Sequence, residues 1–306
     1  MKIIALTPNR EGIFSKELEQ RLSAVGEVIF KTTPQPISAI SELQTPEEKI
    51  LALDPDFVNW NFTKEDIEGI ANLKTICLQT TSFGWIDTAY AKEKGIAVIN
   101  LRGFSTEAVA EFSLMMTLAL ARKMSIVVQD GFKQDFVKHQ GIELRGKKAG
   151  IIGLGSIGER YAELCRGIGM EVFYWSRNSR NEQFKFLELE ELLSTCDVIF
   201  PALADNAETK QILTNELLST MKPDALFVSI AHKLYDHDFV LKMAEQGKLY
   251  GYAFEEENGN PNDYKGNILA LPSIAWATDG SMRKNGELWT EAIEKAVRGE
   301  YPTRIN

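Results

Sequence analysis

The chain has 306 residues, enough for two domains of ordinary size, since single cores stop growing at roughly 250 to 300 residues. Its 44% hydrophobic and 25% charged residues are the proportions of a folded globular protein and exclude a disordered or fibrous one. A net charge of -9 with no basic patch argues against a nucleic-acid partner, and no apolar run approaches the roughly 20 residues of a membrane span.

The opening "MKIIALTPN" carries neither a signal-peptide core nor a small-residue cleavage site, so a cytoplasmic protein is expected. From there, "KIIALT", "EVIF", "KILALD", "LKTICLQT" and "IAVINL" have the length and β-branched content of strands. Between them stand helical patterns such as "SKELEQRLSAVG" and "TKEDIEGIANL". Alternation of this kind implies parallel strands joined by crossover helices.

Residues 105–123, "STEAVAEFSLMMTLALARK", follow as a helix that Ser105 or Thr106 is placed to cap. Apolar residues occupy most of its circumference, so it should be buried on nearly all sides, as an interdomain core helix or as a subunit interface. A second α/β series begins at Lys148 with "KAGIIGLG" and continues through "EVFYWS", "CDVIFPAL", "ALFVSIA", "LYGYAF" and "ILALPS". A final helix ends at Gly299 with no strand after it. Cys77, Cys165 and Cys196 stand singly in apolar segments rather than at metal-ligand spacing, so they are expected to be small buried hydrophobes, and no metal site is expected.

The second series opens on Gly153, Gly155 and Gly158 in a G-x-G-x-x-G pattern between a strand and a helix. The first glycine permits a tight turn, the second lets a pyrophosphate approach the backbone, and the third lets helix and strand pack closely. With Ser156 and Ile157 at the helix amino terminus, the turn is expected to hold a dinucleotide. About 20 residues on, where an acid would take the ribose hydroxyls of NAD, the chain has Ser176, Arg177 and Asn178. An arginine there suits a 2′-phosphate, so NADP is expected in preference to NAD.

At this point the chain resembles the D-isomer-specific 2-hydroxyacid dehydrogenase family over nearly its whole length. The matching stretches are "SFGWIDTAYAKEKGIAVINLRGFSTEAVAEF", "LRGKKAGIIGLGSIGERYA", "AETKQILTNELLSTMKPDALFVSIA" and "EQGKLYG". The resemblance implies two Rossmann-like doubly wound parallel-sheet α/β domains with a cleft between them. The outer, substrate-side domain would be residues 1–99 plus 281–306 and the dinucleotide domain residues 100–280. It also implies a homodimer through the nucleotide domain, to which the helix after "GFSTEAVAEF" contributes.

The family reduces 2-oxo acids with an arginine for the substrate, a histidine that protonates the carbonyl, and a glutamate that holds the histidine. Carried over by position, none is present. His232, followed by Lys233, stands for the arginine, Asn260 for the glutamate, and Ser273 for the histidine. Glu257 could take the glutamate's place in a different alignment, but the acidic run Glu255 to Glu257 is better taken as a solvated loop face. The loop implied to cradle the substrate carboxylate, Thr81, Ser82 and Phe83, also departs, with Ser82 where the family favours glycine.

Two functions fit this pattern. One is an NAD(P)-dependent oxidoreductase with an altered site, acting on a small non-standard carbonyl or imine. The other is a catalytically silent NAD(P)-binding sensor or partner-binding protein. In open α/β sheets ligands bind at the carboxyl ends of strands, so His232, Lys233, Asn260 and Ser273 are expected to face a shared cleft.

Overall fold

The computed structural model describes residues 1–178, 180–204, 209–210, 212–257 and 259–306. Contacts divide the chain into two compact units, Met1–Ser105 with Thr278–Asn306, and Thr106–Ala277.

In the first unit, β1 (Lys2–Leu6), α1 (Arg10–Ile13), α2 (Lys16–Val25), β2 (Glu27–Lys31), β3 (Lys49–Leu53), α3 (Lys64–Glu68), β4 (Leu73–Leu78), α4 (Thr88–Glu93) and β5 (Ala97–Ile99) follow one another. The strands pair in the order β2-β1-β3-β4-β5, all parallel. Parallel strands must be covered on both faces, and alternate residues achieve it: Ile3, Ala5, Ile50 and Ala52 join one apolar cluster while Ile4, Leu6, Leu51 and Leu53 join another. Burying each of the larger side chains contributes about 1.5–3 kcal/mol.

The second unit contains α5 (Thr106–Ala121), α6 (Met124–Gln129), β6 (Lys148–Ile152), α7 (Ser156–Gly167), β7 (Glu171–Trp175), β8 (Lys185–Phe186), α8 (Leu189–Thr195), β9 (Val198–Pro201), α9 (Asn215–Leu218), β10 (Leu226–Ser229), α10 (His237–Glu245), β11 (Gly251–Glu256) and β12 (Ile268–Pro272). Its seven strands are parallel in the order β12-β11-β10-β9-β6-β7-β8, so the order reverses at β6 and β9. A crevice at such a reversal is where doubly wound sheets take ligands.

The chain then returns to the first unit as α11 (Asp279–Val297). Trp289, fully buried, stacks on Phe14 at 5.2 Å between centroids and donates its indole N–H to the Cys77 carbonyl at 2.9 Å. A Cβ at Gly286 would overlap the Ile13 carbonyl, so glycine is what lets the helix approach this closely.

Within the single chain α5 leaves Met115 and Leu118 each 43% exposed, while its other faces pack on α7, β10 and β11. One expectation needs correction: the acidic run is not uniformly solvated. Glu255 is 8% exposed near the end of β11, whose residues Gly251 to Glu255 are all buried because a parallel strand is covered on both faces, while Glu257 is exposed. The three cysteines are buried and free. No helix among the described residues is long and apolar enough to cross a membrane.

Candidate functional site

The glycine turn joins β6 to α7 at the reversal of strand order. Gly153 has φ +99°, a left-handed conformation that L side chains rarely adopt, and a Cβ there would meet the Ala202 carbonyl oxygen at 2.9 Å. A Cβ at Gly158 would overlap the Gly153 carbonyl oxygen, so strand and helix touch through backbone. At Gly155 a Cβ would meet nothing within 4 Å. Gly155 is also the N-cap of α7 and offers no side chain to its N–H groups. Ser156 is exposed and Ile157 half-buried in the first turn. An open cradle at the second glycine, with uncapped helix N–H groups behind it, fits the pyrophosphate of a dinucleotide.

At the end of β7, Ser176 is buried, and Arg177 and Asn178 are exposed. Arg180 donates to the Ser176 carbonyl at 2.9 Å and lies 4.7 Å from the Phe186 ring centroid. Nothing in the sequence pattern singled out this second guanidinium beside Arg177.

The other predicted residues of this unit lie past neighbouring strand ends. His232 and Lys233 open a 3-10 turn after β10; Lys233 is exposed, and the His232 side chain lies outside what the structure describes. Asn260 is exposed and occupied locally, accepting from the Asn262 N–H at 3.1 Å and donating to Asp263 at 3.3 Å. A Cβ on Gly259 would overlap backbone atoms of Leu271, so the Asn260 loop is pressed onto β12 beside Ser273. Ser273 is exposed just past β12. Of the described histidine side chains, His139 pairs with Asp130 at 2.8 Å and His237 bonds the Tyr252 hydroxyl at 2.8 Å. Neither stands at the end of β12.

Glu255, expected on a solvated face, holds the loop after β12: its Oε1 accepts the Ala275 N–H at 2.8 Å. Burial raises its pKa above the ordinary carboxylate range, opposed by the Ala275 and Ile274 N–H groups.

In the first unit, Thr81, Ser82 and Phe83 form an exposed loop past β4. It is held from behind. The Asn100 amide donates to the Thr81 carbonyl at 2.7 Å. Gln79 and Asn285 exchange two hydrogen bonds of 2.9 Å, from the Gln79 amide to Asn285 Oδ1 and from the Asn285 amide to the Gln79 carbonyl.

The family model described as D-isomer specific 2-hydroxyacid dehydrogenase, NAD binding domain, matches residues 114–276. The chain belongs to this family. Among D-isomer-specific 2-hydroxyacid dehydrogenases, it is similar to the glyoxylate reductase of Aeropyrum pernix, 29% identical over 303 residues covering 91% of this chain and 88% of that one. An acyclic imino acid reductase solved in complex with NADPH and D-Arg is 27% identical, with a TM-score of 0.84 and complete coverage of both chains. A D-lactate dehydrogenase from Aquifex aeolicus, complexed with NAD and lactic acid, shares the fold at 24% identity, a TM-score of 0.79 and 97% coverage of this chain against 96% of that one.

Proposed function

We propose that this member of the family is a cytoplasmic, NADP(H)-dependent reductase of carbon–nitrogen double bonds, acting on a small imino acid rather than a 2-oxo acid. The observation that carries the reading is Ser273, a hydroxyl where the family's histidine is expected, with no described histidine side chain beside it.

A hydroxyl remains protonated throughout the physiological range and is a poor proton source. Reducing a ketone puts negative charge on oxygen, which must then collect a proton. A protonated imine makes no such demand: its carbon gains a C–H bond, its π electrons pass to nitrogen, a neutral amine results, and the reduced dinucleotide loses two electrons. Ser273 then serves as a hydrogen-bond partner, and Asn260 replaces an acid that has no imidazole to orient. Lys233, exposed past the end of β10, supplies a positive charge. The Thr81 to Phe83 loop is the remaining carboxylate cradle, on what would be the substrate-side unit. The solved imino acid reductase with NADPH supports both halves of the proposal. Gly153, Gly155 and Gly158 form the pyrophosphate turn, and Arg177 at the end of β7 meets the 2′-phosphate.

The protein acts as a homodimer through its nucleotide unit. Supporting this are Met115 and Leu118 on α5, with Phe132, Phe136 and Val137 exposed by 71%, 80% and 84%. Beside them is a cavity of about 970 Å³ lined by Leu118, Ala121, Phe136, His139 and Ile142.

NADPH absorbance decides the reaction. Pyruvate, glyoxylate and hydroxypyruvate alone should be reduced barely or not at all, and adding ammonia or methylamine should start turnover. Robust reduction without amine would overturn the reading. The local engagement of Asn260 favours a second one, a silent NAD(P)-binding protein, which predicts NADPH binding without turnover under either condition.

A further inference from the structure

The first unit carries a surface aromatic pair, Trp60 exposed and Trp85 half-buried, that neither fold nor cofactor turn explains. Past β3, Asn59 and Trp60 have φ of 49° and 55°, two consecutive left-handed residues of which one is an indole 48% exposed to solvent. A bulky side chain in that conformation is a backbone outlier, and such outliers persist only where the surroundings enforce them.

The enforcement is visible. Buried Asp54 accepts the Asp56 N–H at 3.0 Å and the Thr7 hydroxyl at 2.7 Å. The Pro55 carbonyl receives the Trp60 N–H at 2.9 Å. Phe62 then bridges to Ile86 in parallel register, tying this loop to the one after β4, with the Phe62 N–H on the Trp85 carbonyl at 2.9 Å.

As a result Trp60 and Trp85 meet edge to face, centroids 6.0 Å apart at 70°. Both indole N–H groups are occupied: Trp60 donates to Asp56 Oδ1 at 2.8 Å and Trp85 to the Ser82 carbonyl at 2.9 Å. What the pair offers a ligand is therefore π surface, with an exposed carboxylate at its edge. Among the described residues no Lys or Arg pairs with Asp56 or covers either ring.

We propose that Trp60, Trp85 and Asp56 form a subsite for a cationic substrate side chain, with a guanidinium favoured over an ammonium. The negative faces of the rings attract a cation, a planar guanidinium stacks on an indole, and Asp56 keeps an oxygen for it to bond. The net charge of -9 draws such a substrate in. Ser82 links the subsite to the loop assigned above to the carboxylate, so one amino-acid skeleton has its carboxylate at one end of this surface and its side chain at the other.

The proposal rests on the imino-acid reading for the skeleton of the ligand; preference for charge is a separate property, and the test separates the two. D-arginine, D-lysine and D-norleucine are titrated calorimetrically into the full chain saturated with NADP⁺, alongside Asp56→Asn and Trp60→Ala with folding checked by thermal melting. D-arginine should bind about tenfold or more tighter than D-norleucine, the worth of one cation–π contact plus a charged hydrogen bond, with D-lysine between. Asp56→Asn should remove most of that preference, and Trp60→Ala should weaken D-arginine more than D-norleucine, whose butyl chain also rests on the indole. Equal affinities, a preference surviving both substitutions, or no binding of any of the three at millimolar concentration would overturn the subsite. Failure of NADPH turnover with every imine, while the binding preference holds, would sink the reductase reading alone.

Discussion

Glu255 at the end of β11 and Ala275 past the end of β12 are joined by one hydrogen bond of 2.8 Å, from the Ala275 N–H to a buried carboxylate oxygen. It fixes the shape of the Ser273 to Trp276 loop from below, so the placement of Ser273 depends on a residue it does not touch.

Glu255→Ala should cost about 1–3 kcal/mol, because the nearly buried Ala275 N–H loses its acceptor. Glu255→Gln keeps an acceptor without the charge. Burial raises the folded-state pKa, so the carboxyl's contribution is fully present below its unfolded value of about 4.3 and is lost as pH rises through the folded value. Melting temperatures from pH 4 upward should therefore show wild type losing stability relative to Glu255→Gln, and parallel curves would contradict this.

Space and conformation separate the glycines. Gly155→Ala meets nothing within 4 Å, so the melting temperature should hold while dinucleotide affinity falls about tenfold or more. Gly158→Ala must displace the Gly153 carbonyl and should lose both stability and binding. Thermal melts and titrations with NADPH distinguish the two outcomes.

Arg177→Ala should weaken NADP(H) by about tenfold to a hundredfold, the worth of a hydrogen bond to a charged group, and leave NAD(H) unchanged. Equal dissociation constants for the two cofactors in wild type would exclude the arginine's role. Arg180, a neighbouring cation, is the control: if its substitution alone produces the loss, the phosphate contact belongs there.

Phe136→Ser together with Val137→Ser should shift the protein from dimer to monomer by light scattering, since these side chains are 80% and 84% exposed in the single chain. A wild-type mass of 34.3 kDa in solution would remove the dimer.

What the sequence made legible was local. Gly153, Gly155 and Gly158 lie within one turn, and their spacing states what each must do. Strand periodicity likewise needs only neighbouring residues. Lys49 shows the limit: written as the first residue of an apolar strand, it is fully buried, with its ammonium on the carbonyls of Thr45, Glu47 and Ala71. Burial lowers its pKa. Glu255, Glu256 and Glu257 are chemically alike in sequence, and only how far β11 stays covered and the position of the next loop decide which one is buried. Trp60 and Trp85 meet because two loops pair through Phe62 and Ile86, a relation no short window contains. Asn285 reaches Gln79 across 206 residues of chain.

The position of Trp289 has a consequence for biosynthesis. Residues 106–277 form one unit from a continuous stretch, so that unit is complete as soon as it leaves the ribosome. The first unit, although synthesised earlier, must wait for α11 to bring Trp289 beneath Phe14 and Cys77. During that interval the apolar face formed by Ile3, Phe14, Leu18 and Ile50 lacks its largest partner. The usual order, amino-terminal domain first, is reversed, and the nascent chain exposes that face to chaperones and to aggregation until α11 has been made.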